Sequence, residues 1–386
     1  GTGRGFATRF RDTLDRLTPQ WRELRLSTPI RWGDNDPLER LSFDALLMDA
    51  EPAADHAFAG FNLGQLEIER ISQDALLQDE GTLRELFGLL VLAHYRTRPF
   101  DLRHLLDGAN VEIVVGRYKA AIAAVAVAVR EGGFDAHMRT RILSGKRRPH
   151  GHLAPQTLAL HCALPQALQL RFLRIMRIAV HPAVRRRGVA SALLRTLAAT
   201  ATEADVICSS FGASSELLAF WRQNAFTAVR IGLKREASSG AHSVLMLRPL
   251  SASGEELLLQ SRRRFGRQLP LLLSDSLREL HSDILLPLLQ DASPAASPSD
   301  ADRVLLKRFA AGELPLDAVF AELVELAYCS AGSGKISAAD SRQREILLGR
   351  LLQRQSPRSI AARLHLAGQR EVLQTLRQTV ALLIGE

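Results

Sequence analysis

Three cysteines in 386 residues, Cys162, Cys208 and Cys329, are too few and too far apart for a disulfide framework. No C-x-x-C pair occurs, which removes the zinc-ribbon and dithiol redox motifs, and a reduced, cytosolic setting fits best. No apolar run approaches the roughly 18 residues that read as a membrane span. Even Ala120 to Val129 is short and alanine-rich, and no secretory signal is visible. Aromatic residues make up only 5% of the chain, which argues against a surface that stacks successive bases of a single strand. Lysine is scarce.

Arginine is plentiful. It supplies most of the formal net charge of +9, and its planar fork grips phosphate through two donors where lysine offers a point charge. A polyanionic partner such as nucleic acid is favoured, although a merely soluble basic surface has the same composition. Hydrophobic residues, at 46%, suffice for two or three domains with cores of their own. The chain opens on glycine, inside what reads as a motif, Gly1-Thr-Gly-Arg-Gly-Phe6. We expect it to be the C-terminal part of a longer protein.

The first fifty residues predict an amphipathic helix over Phe6 to Leu17, a strand over Trp21 to Leu26 and the segment Pro29-Ile-Arg-Trp32, too little to bury a core. Helical patterns dominate from Leu41 to Leu92 and lead into His94-Tyr-Arg-Thr-Arg-Pro99. Val111 to Val115 and Ala120 to Arg130 predict a β-hairpin turning near Gly116. The basic insert Ser144 to His152 is too polar for a core, and a helix through Leu160 follows it. Strands over Thr227 to Leu233 and His242 to Leu247 close an α/β domain. Beyond Ser251 the pattern is helical, with a linker at Asp291 to Asp300 and helices over Gly254–Gln268, Ser274–Leu289, Ala301–Ala311, Pro315–Tyr328, Ala338–Gln355 and Pro357–Leu383. The last carries Arg363, Arg370 and Arg377, either a phosphate-contacting face or a solvated one, and taken alone the solvated face is favoured.

One run says more than the rest: Arg177-Ile-Ala-Val-His-Pro-Ala-Val-Arg185-Arg-Arg-Gly188-Val-Ala190-Ser-Ala-Leu-Leu194. It reads as an apolar strand stopped by Pro182, a basic turn and a helix start. Backbone N–H groups opening a helix lack partners, and the helix dipole adds positive charge there, so such a turn suits a diphosphate. By itself Arg185-x-x-Gly188-x-Ala190 is also an ordinary strand-to-helix turn with solvated arginines. Its context strengthens the anion reading, because a second strand at Ala204 to Ser210 and a helix carrying Glu216, Phe220 and Trp221 follow in order.

That spacing resembles the pyrophosphate loop of GNAT acetyltransferases, and further strings widen the resemblance: GTGRGF at residue 1, PIRW at 29, DPLE at 36, AHYRT at 93, RPHGHL at 148, SSFGAS at 209, FWRQNAF at 220 and KREASSG at 234. Together they resemble the tRNA(Met) cytidine acetyltransferase family, strongly up to Leu250 and weakly beyond. The resemblance implies an α/β GNAT fold, a mixed sheet flanked by helices, over 53–250. A remnant of a RecA-like helicase module at 1–52 and a helical tRNA-binding tail at 251–386 complete the expected organisation.

The implied reaction is acetyl transfer from acetyl-CoA to N4 of the wobble cytidine of elongator tRNA(Met), by a monomer in the cytoplasm without membrane contact. Residues Ile178, Ala179 and Val180 are implied to bond the pantetheine arm as an added strand, with the Val180 N–H polarising the thioester carbonyl. Residues Arg185, Arg186, Arg187, Gly188, Val189, Ala190 and Ser191 are implied to hold the pyrophosphate, with Glu216 and Gln223 lining the CoA channel. Gln223 stands where the family commonly has a basic residue. His94 is the first choice of base, with Tyr95 orienting substrate or donating a proton; His181 is the less favoured histidine, since a residue ahead of Pro182 usually serves the turn. RNA contacts are expected at Lys146, Arg147 and Arg148 and at Lys234 and Arg235. No metal ligand set is expected in this chain.

In full-length members ATP with magnesium drives a helicase-like half, for which Arg31 and, less favourably, Arg4 are the phosphate-reaching candidates here. The sequence carries no Walker A loop, since Gly332-Ser-Gly-Lys335 lacks the first glycine, where Cys329 stands, and has Ile336 in place of Ser or Thr. Two other readings stay open: a stand-alone GNAT enzyme acting on a protein or small amine, and a non-catalytic RNA-binding remnant.

Overall fold

The computed structural model describes residues 14–15, 17–22, 24, 30–33, 35–93, 99–236, 240–292 and 297–385. They form two compact units that interleave along the sequence. The first draws on Gly1–Gly132, Pro149–His152 and Arg171–Ile207, and the second on Gly133–Arg148, Leu153–Leu170 and Cys208–Glu386. The helix expected over Phe6–Leu17 and the strand expected over Trp21–Leu26 lie mostly outside the described residues. Leu14, Asp15 and Leu17 are helical, while Trp21, Arg22 and Leu24 belong to no strand.

In the first unit, α1 (Pro37–Leu46) begins where the Asp36 carboxylate accepts from the Leu38 and Glu39 N–H groups, both at 2.9 Å, with Pro37 opening the helix. The Asp-Pro-Leu-Glu string is thus a helix start. β1 (Leu66–Ile71), α2 (Gln73–Gln78), α3 (Glu80–Ala93) and α4 (Pro99–Asp107) follow. β1 corrects the helical pattern expected between Leu41 and Leu92, because Leu66-Glu-Ile-Glu-Arg-Ile alternates with a period of two and pairs antiparallel with β2 (Val111–Tyr118).

β2 and β3 (Ala121–Gly132) make the expected hairpin, but the chain reverses at Lys119 and Ala120 rather than near Gly116. Gly116 lies within the strand at a register shift, where a Cβ would stand 3.1 Å from Leu193 Cδ1 and 3.3 Å from Leu66 Cδ1. It marks a close approach at a bulge, not a turn. Between β3 and β4 (Arg171–Val180) the chain enters the second unit as α5 (Ala136–Leu143) and α6 (Leu153–His161), which bury Ile142, Ala159 and Leu168 against Phe134 and Met138.

β4 pairs antiparallel with β3, and buried Glu131 accepts from Arg174 Nε at 2.5 Å across the pair. After α7 (Val189–Thr200), β5 (Val206–Gly212) begins beside the start of β4: the Asp205 N–H donates to the Arg171 carbonyl at 2.8 Å, and the Asp205 carboxylate accepts from the Arg171 N–H at 2.9 Å. The strands of this unit follow the order β1-β2-β3-β4, and β5 comes next in the sheet. One face carries Ile113, Val115, Val125 and Val127 against Leu86, Leu90 and Leu105; α7 covers the other with Leu193 and Leu197 fully buried.

The second unit continues in the order β5-β7-β6, with α8 (Ser215–Gln223) leading to an antiparallel pair, β6 (Thr227–Arg235) and β7 (His242–Pro249). α9 (Ala252–Leu273) packs on β6 and β7, and α10 (Ser282–Asp291) packs on α8 and β6. Their junction is the buried Asp291 carboxylate, which accepts from the Ala228 N–H at 2.8 Å and from Arg222 Nε at 3.0 Å. Burial raises its pKa, and the Ala228 amide and Arg222 oppose the rise. α10 starts later than expected, because 274–281 form turns whose Leu277 and Leu280 carbonyls accept from the buried Gln353 side-chain amide at 3.4 and 2.6 Å.

Five helices complete this unit: α11 (Asp300–Ala310), α12 (Phe320–Gly332), α13 (Ser341–Leu347), α14 (Pro357–Arg363) and α15 (Gln369–Ile384). Reciprocal caps by Ser299 with Asp302 and by Asp340 with Gln343 start α11 and α13, and α13 widens into a π-helix at Leu348–Leu352. The single helix expected over Pro357–Leu383 is two, since His365 at φ 53° and the Leu366 N–H, bonded to the Ala361 carbonyl at 2.9 Å, close α14 with a left-handed cap. No helix among the described residues is long and apolar enough to cross a membrane.

One histidine of the RPHGHL string makes the first unit sensitive to acid. His152 Nδ1 accepts the Gly132 N–H at 2.9 Å, and burial holds its pKa below the usual value against the pull of Glu131. Protonation of Nδ1 breaks that bond only in the folded chain. The stability it contributes is complete above the unfolded value of 6.5 and is lost as pH falls through that value toward the lower folded one. The thermal midpoint should therefore drop between about pH 7.5 and 5.5. His152→Asn, whose side-chain carbonyl can accept the same N–H without titrating, should flatten part of that slope. The remainder belongs to His161, lowered by burial and by the Arg230 and Arg148 charges. An unaltered slope in the variant would remove His152 from this role.

Candidate functional site

The end of β4 is bonded to β3. The His181 N–H donates to the Ala123 carbonyl at 2.8 Å, and Val180 stands opposite Ala124, Ala179 opposite Val125 and Ile178 opposite Ala126. Successive residues of an antiparallel ladder bond alternately toward and away from one neighbour. Residues 181 and 179 therefore face β3, and the N–H and C=O groups of Val180 and Ile178 point to the opposite edge. There the Val180 carbonyl accepts from Arg185 Nε at 3.2 Å.

His181 fixes how the chain leaves this strand. Its Nδ1 accepts from the Ala183 N–H at 3.3 Å, its Nε2 donates to the Ala53 carbonyl at 2.8 Å, and its ring lies 4.3 Å from that of Phe58. Both ring nitrogens are engaged in a side chain that is 1% exposed, so this histidine serves the turn, as the following proline led us to expect.

A 3-10 turn at Pro182–Val184 follows, then an extended Arg185, Arg186 at φ 58° and Gly188 at φ 81°. The first bond of α7 runs from the Ala192 N–H to the Gly188 carbonyl at 3.0 Å, so the N–H groups of Val189, Ala190 and Ser191 have no acceptor within the helix. No side chain caps this end and no acidic residue occupies its first turn. Arg185, Arg186, Arg187 and Gly188 are all exposed. An open, positively flanked helix start of this kind fits a diphosphate by donor count and by charge.

The segment beneath this loop is one the sequence reading missed. A Cβ on Gly188 would stand 3.2 Å from Leu63 Cδ2, and the Arg187 guanidinium lies 6.0 Å from the Phe61 ring. Tyr118 holds the segment by donating its hydroxyl to the Gly60 carbonyl at 3.0 Å, with its ring 4.9 Å from Phe61. Two short 3-10 turns, Asp55–Phe58 and Leu63–Gln65, carry no periodicity that would announce them.

In the second unit, Glu216 sits in the first turn of α8 and Gln223 ends it, both exposed; Ser214 Oγ caps the helix by accepting from the Leu217 N–H at 3.2 Å. Lys146, Arg147 and Arg148 are exposed in the turns after α5, and Lys234 and Arg235 are exposed at the end of β6. Arg31 is exposed, while Arg4, His94 and Tyr95 lie outside the described residues.

Residues 1–49 match the helicase-domain model of the RNA cytidine acetyltransferases NAT10/TcmA, and 85–203 with 191–251 match the model GNAT acetyltransferase 2. The tRNA(Met) cytidine acetyltransferase TmcA of Nitrosococcus halophilus is 45% identical over 394 residues, covering 100% of this chain and 52% of that protein. The chain belongs to the TmcA family. The TmcA of Haloferax volcanii is 39% identical over 77% of this chain and 40% of its own length, and that of Vibrio cholerae 34% identical over 100% and 53%. The chain thus spans about half the length of these TmcA relatives. Its GNAT portion contains the β4-to-α7 loop, and its fold is the expected mixed sheet with flanking helices and a helical C-terminal region.

Because His181 bonds two backbone groups and packs on Phe58, His181→Ala should lower stability by about 2–3 kcal/mol. The shift in denaturant midpoint measures this, and a shift within experimental scatter would show that the turn holds without the ring.

Proposed function

We propose that this chain is the acetyl-transfer portion of a tRNA(Met) cytidine acetyltransferase. It would move acetyl from acetyl-CoA to N4 of the wobble cytidine in elongator tRNA(Met). The observation that carries the reading is end-to-end similarity to TmcA in a chain whose β4-to-α7 loop has the uncapped, arginine-flanked geometry of a pyrophosphate site. We place the boundaries at 1–52 for the helicase-like part, 53–250 for the GNAT domain and 251–386 for the tRNA-binding tail, in a cytoplasmic monomer.

Bound acetyl-CoA supplies an activated acyl group as a thioester. Arg185, Arg186 and Arg187 neutralise the pyrophosphate, and the N–H groups of Val189, Ala190 and Ser191 donate to it beside Gly188, whose missing side chain lets phosphate approach. The outward edge of Ile178 to Val180 pairs with the pantetheine amides, and the Val180 N–H stands ready for the carbonyl oxygen as negative charge develops there. Glu216 and Gln223 border the same channel in this reading. Cytosine N4 is a weak nucleophile because its lone pair is delocalised into the ring. His94 is assigned as the base that takes its proton and Tyr95 as the group that orients the acceptor. Lys146 to Arg148 and Lys234 with Arg235 hold RNA phosphates, which position a loop base without identifying it. ATP with magnesium belongs to the full-length relatives in this reading, with Arg31 and Arg4 on its side.

Incubating the chain with tRNA and acetyl-CoA and analysing the nucleosides by mass spectrometry tests the reaction. N4-acetylcytidine that requires both substrates supports it, and acetyl-CoA turnover with amines alone, or RNA binding without turnover, overturns it. Gly188→Glu puts a carboxylate where the pyrophosphate belongs and should weaken CoA binding at least about 100-fold while the thermal midpoint stays within a few degrees. Unchanged CoA affinity would dismiss the loop. His94→Ala should lower turnover by about 10²–10⁴-fold with acetyl-CoA affinity intact, and normal turnover across the pH range would place the base elsewhere.

A further inference from the structure

The arginines that the sequence offers as a phosphate-contacting face of the tail are mostly occupied. Arg363 is held by Glu345 and by Gln355 Oε1, and the Arg377 guanidinium lies 5.5 Å over the Phe309 ring. Arg363 and Arg370 are exposed and Arg377 is half-buried. A different pair shares one aromatic ring and meets no carboxylate among the described residues. Arg350, in the π-helix, and Arg354, just beyond it, both place their guanidiniums over Phe320, at 5.7 and 4.2 Å from the ring centroid. Neither makes an ion pair among the described residues, and the first-turn Glu322 of α12 bonds to neither.

This arrangement is electrostatically incomplete. Two like charges on one ring repel, and cation–π attraction of about 0.5–2 kcal/mol each does not neutralise them. Burial, and then the Arg354 charge, lowers the Arg350 pKa. The backbone nevertheless holds the pair in place. Gln353 donates its side-chain amide to Leu280 and Leu277 carbonyls, and Gln355 donates to the Arg278 carbonyl at 2.7 Å. Between them Arg354 takes φ 55°, a position usually left to glycine, and its carbonyl accepts from Arg278. The Gln355 N–H bonds back to the Gly349 carbonyl at 2.9 Å. Rigid guanidinium forks without a counter-charge are what a phosphate group requires.

We propose that Arg350 and Arg354, stacked on Phe320, form a phosphate-binding site that takes the RNA backbone of the acceptor. The assignment rests on the tRNA-acetyltransferase reading above and names the point in the tail where the acceptor is gripped. A backbone contact gives affinity and register, not sequence choice.

The test measures tRNA binding by the full chain between 50 and 200 mM salt, a range of roughly the width over which phosphate contacts reveal themselves. Each of Arg350→Gln and Arg354→Gln should weaken binding about tenfold at low salt and lower the slope of log affinity against log salt by about 0.7–0.9 per lost contact. Acetyl-CoA affinity should not change. The thermal midpoint of Arg350→Gln should hold or rise, because removing one of two repelling charges relieves the free protein. Wild-type tRNA affinity and slope in the double variant, with a lowered midpoint, would show two arginines that merely pack on Phe320 and would overturn the site. If the double glutamine variant fails to fold, the double lysine variant decides. It keeps both charges without the fork, so a full salt slope with several-fold weaker binding supports the site and unchanged affinity overturns it. Should the wild-type chain bind no tRNA at all, the acceptor reading falls and the site with it, an outcome distinct from a site that fails while RNA still binds.

Discussion

The bonding of the end of β4 to β3 governs the rest of the site. β3 takes the N–H and C=O groups of every second residue, which turns those of Ile178 and Val180 outward and fixes where the strand must end. The turn that follows is not intrinsically cheap, since Arg186 in the left-handed region costs on the order of 1 kcal/mol. Fully buried Leu193, Leu194 and Leu197 on α7 outweigh that, each worth about 1.5–3 kcal/mol as an upper estimate of transfer from water. Packing of the helix against the sheet therefore sets the position of its open N-terminus. His181 adds direction by tying the turn to Ala53 and Ala183.

Charge is distributed by the same logic of satisfied and unsatisfied groups. Arg174, Arg177, Arg222 and Arg363 each meet a carboxylate, and Arg262 bonds the Asp291 carbonyl, so these arginines fasten the fold. Those at 185–187 and 146–148 are exposed, while 350 and 354 meet a ring rather than an anion. The formal excess of +9 is thus a poor guide to where a polyanion sits, because it counts both kinds alike. An arginine paired with a buried carboxylate holds the protein, while an exposed one keeps donors that a ligand can meet.

What could be read from the sequence follows from how local each signal is. The strand, Pro182, the arginines and Gly188 form one contiguous run, and the structure contains them as strand, turn and helix start. The β-hairpin was legible, but Gly116 misplaced its turn, since a glycine needed for the approach of Leu193 and Leu66 looks in sequence like one needed for a turn. Turns at 274–281 could not be foreseen, because the amide that satisfies their carbonyls belongs to Gln353. The break between α14 and α15 hides in His365, whose left-handed backbone lacks the usual glycine. Phe61 and Leu63, under the phosphate loop, came from a stretch with neither helical nor strand period.

The structure also narrows the search for a base without reaching it. His181 has both nitrogens committed, and Asp101 is bridged to Arg177 on β4 at 2.9 Å, so neither is spare for proton transfer. These same contacts bear on the string AHYRT. α3, which ends at Ala93, packs along β3 and β4, and α4, which starts at Pro99, is fastened to β4 through Asp101. Both helices flanking residues 94–98 are therefore anchored to the strand whose outward edge is Ile178 to Val180.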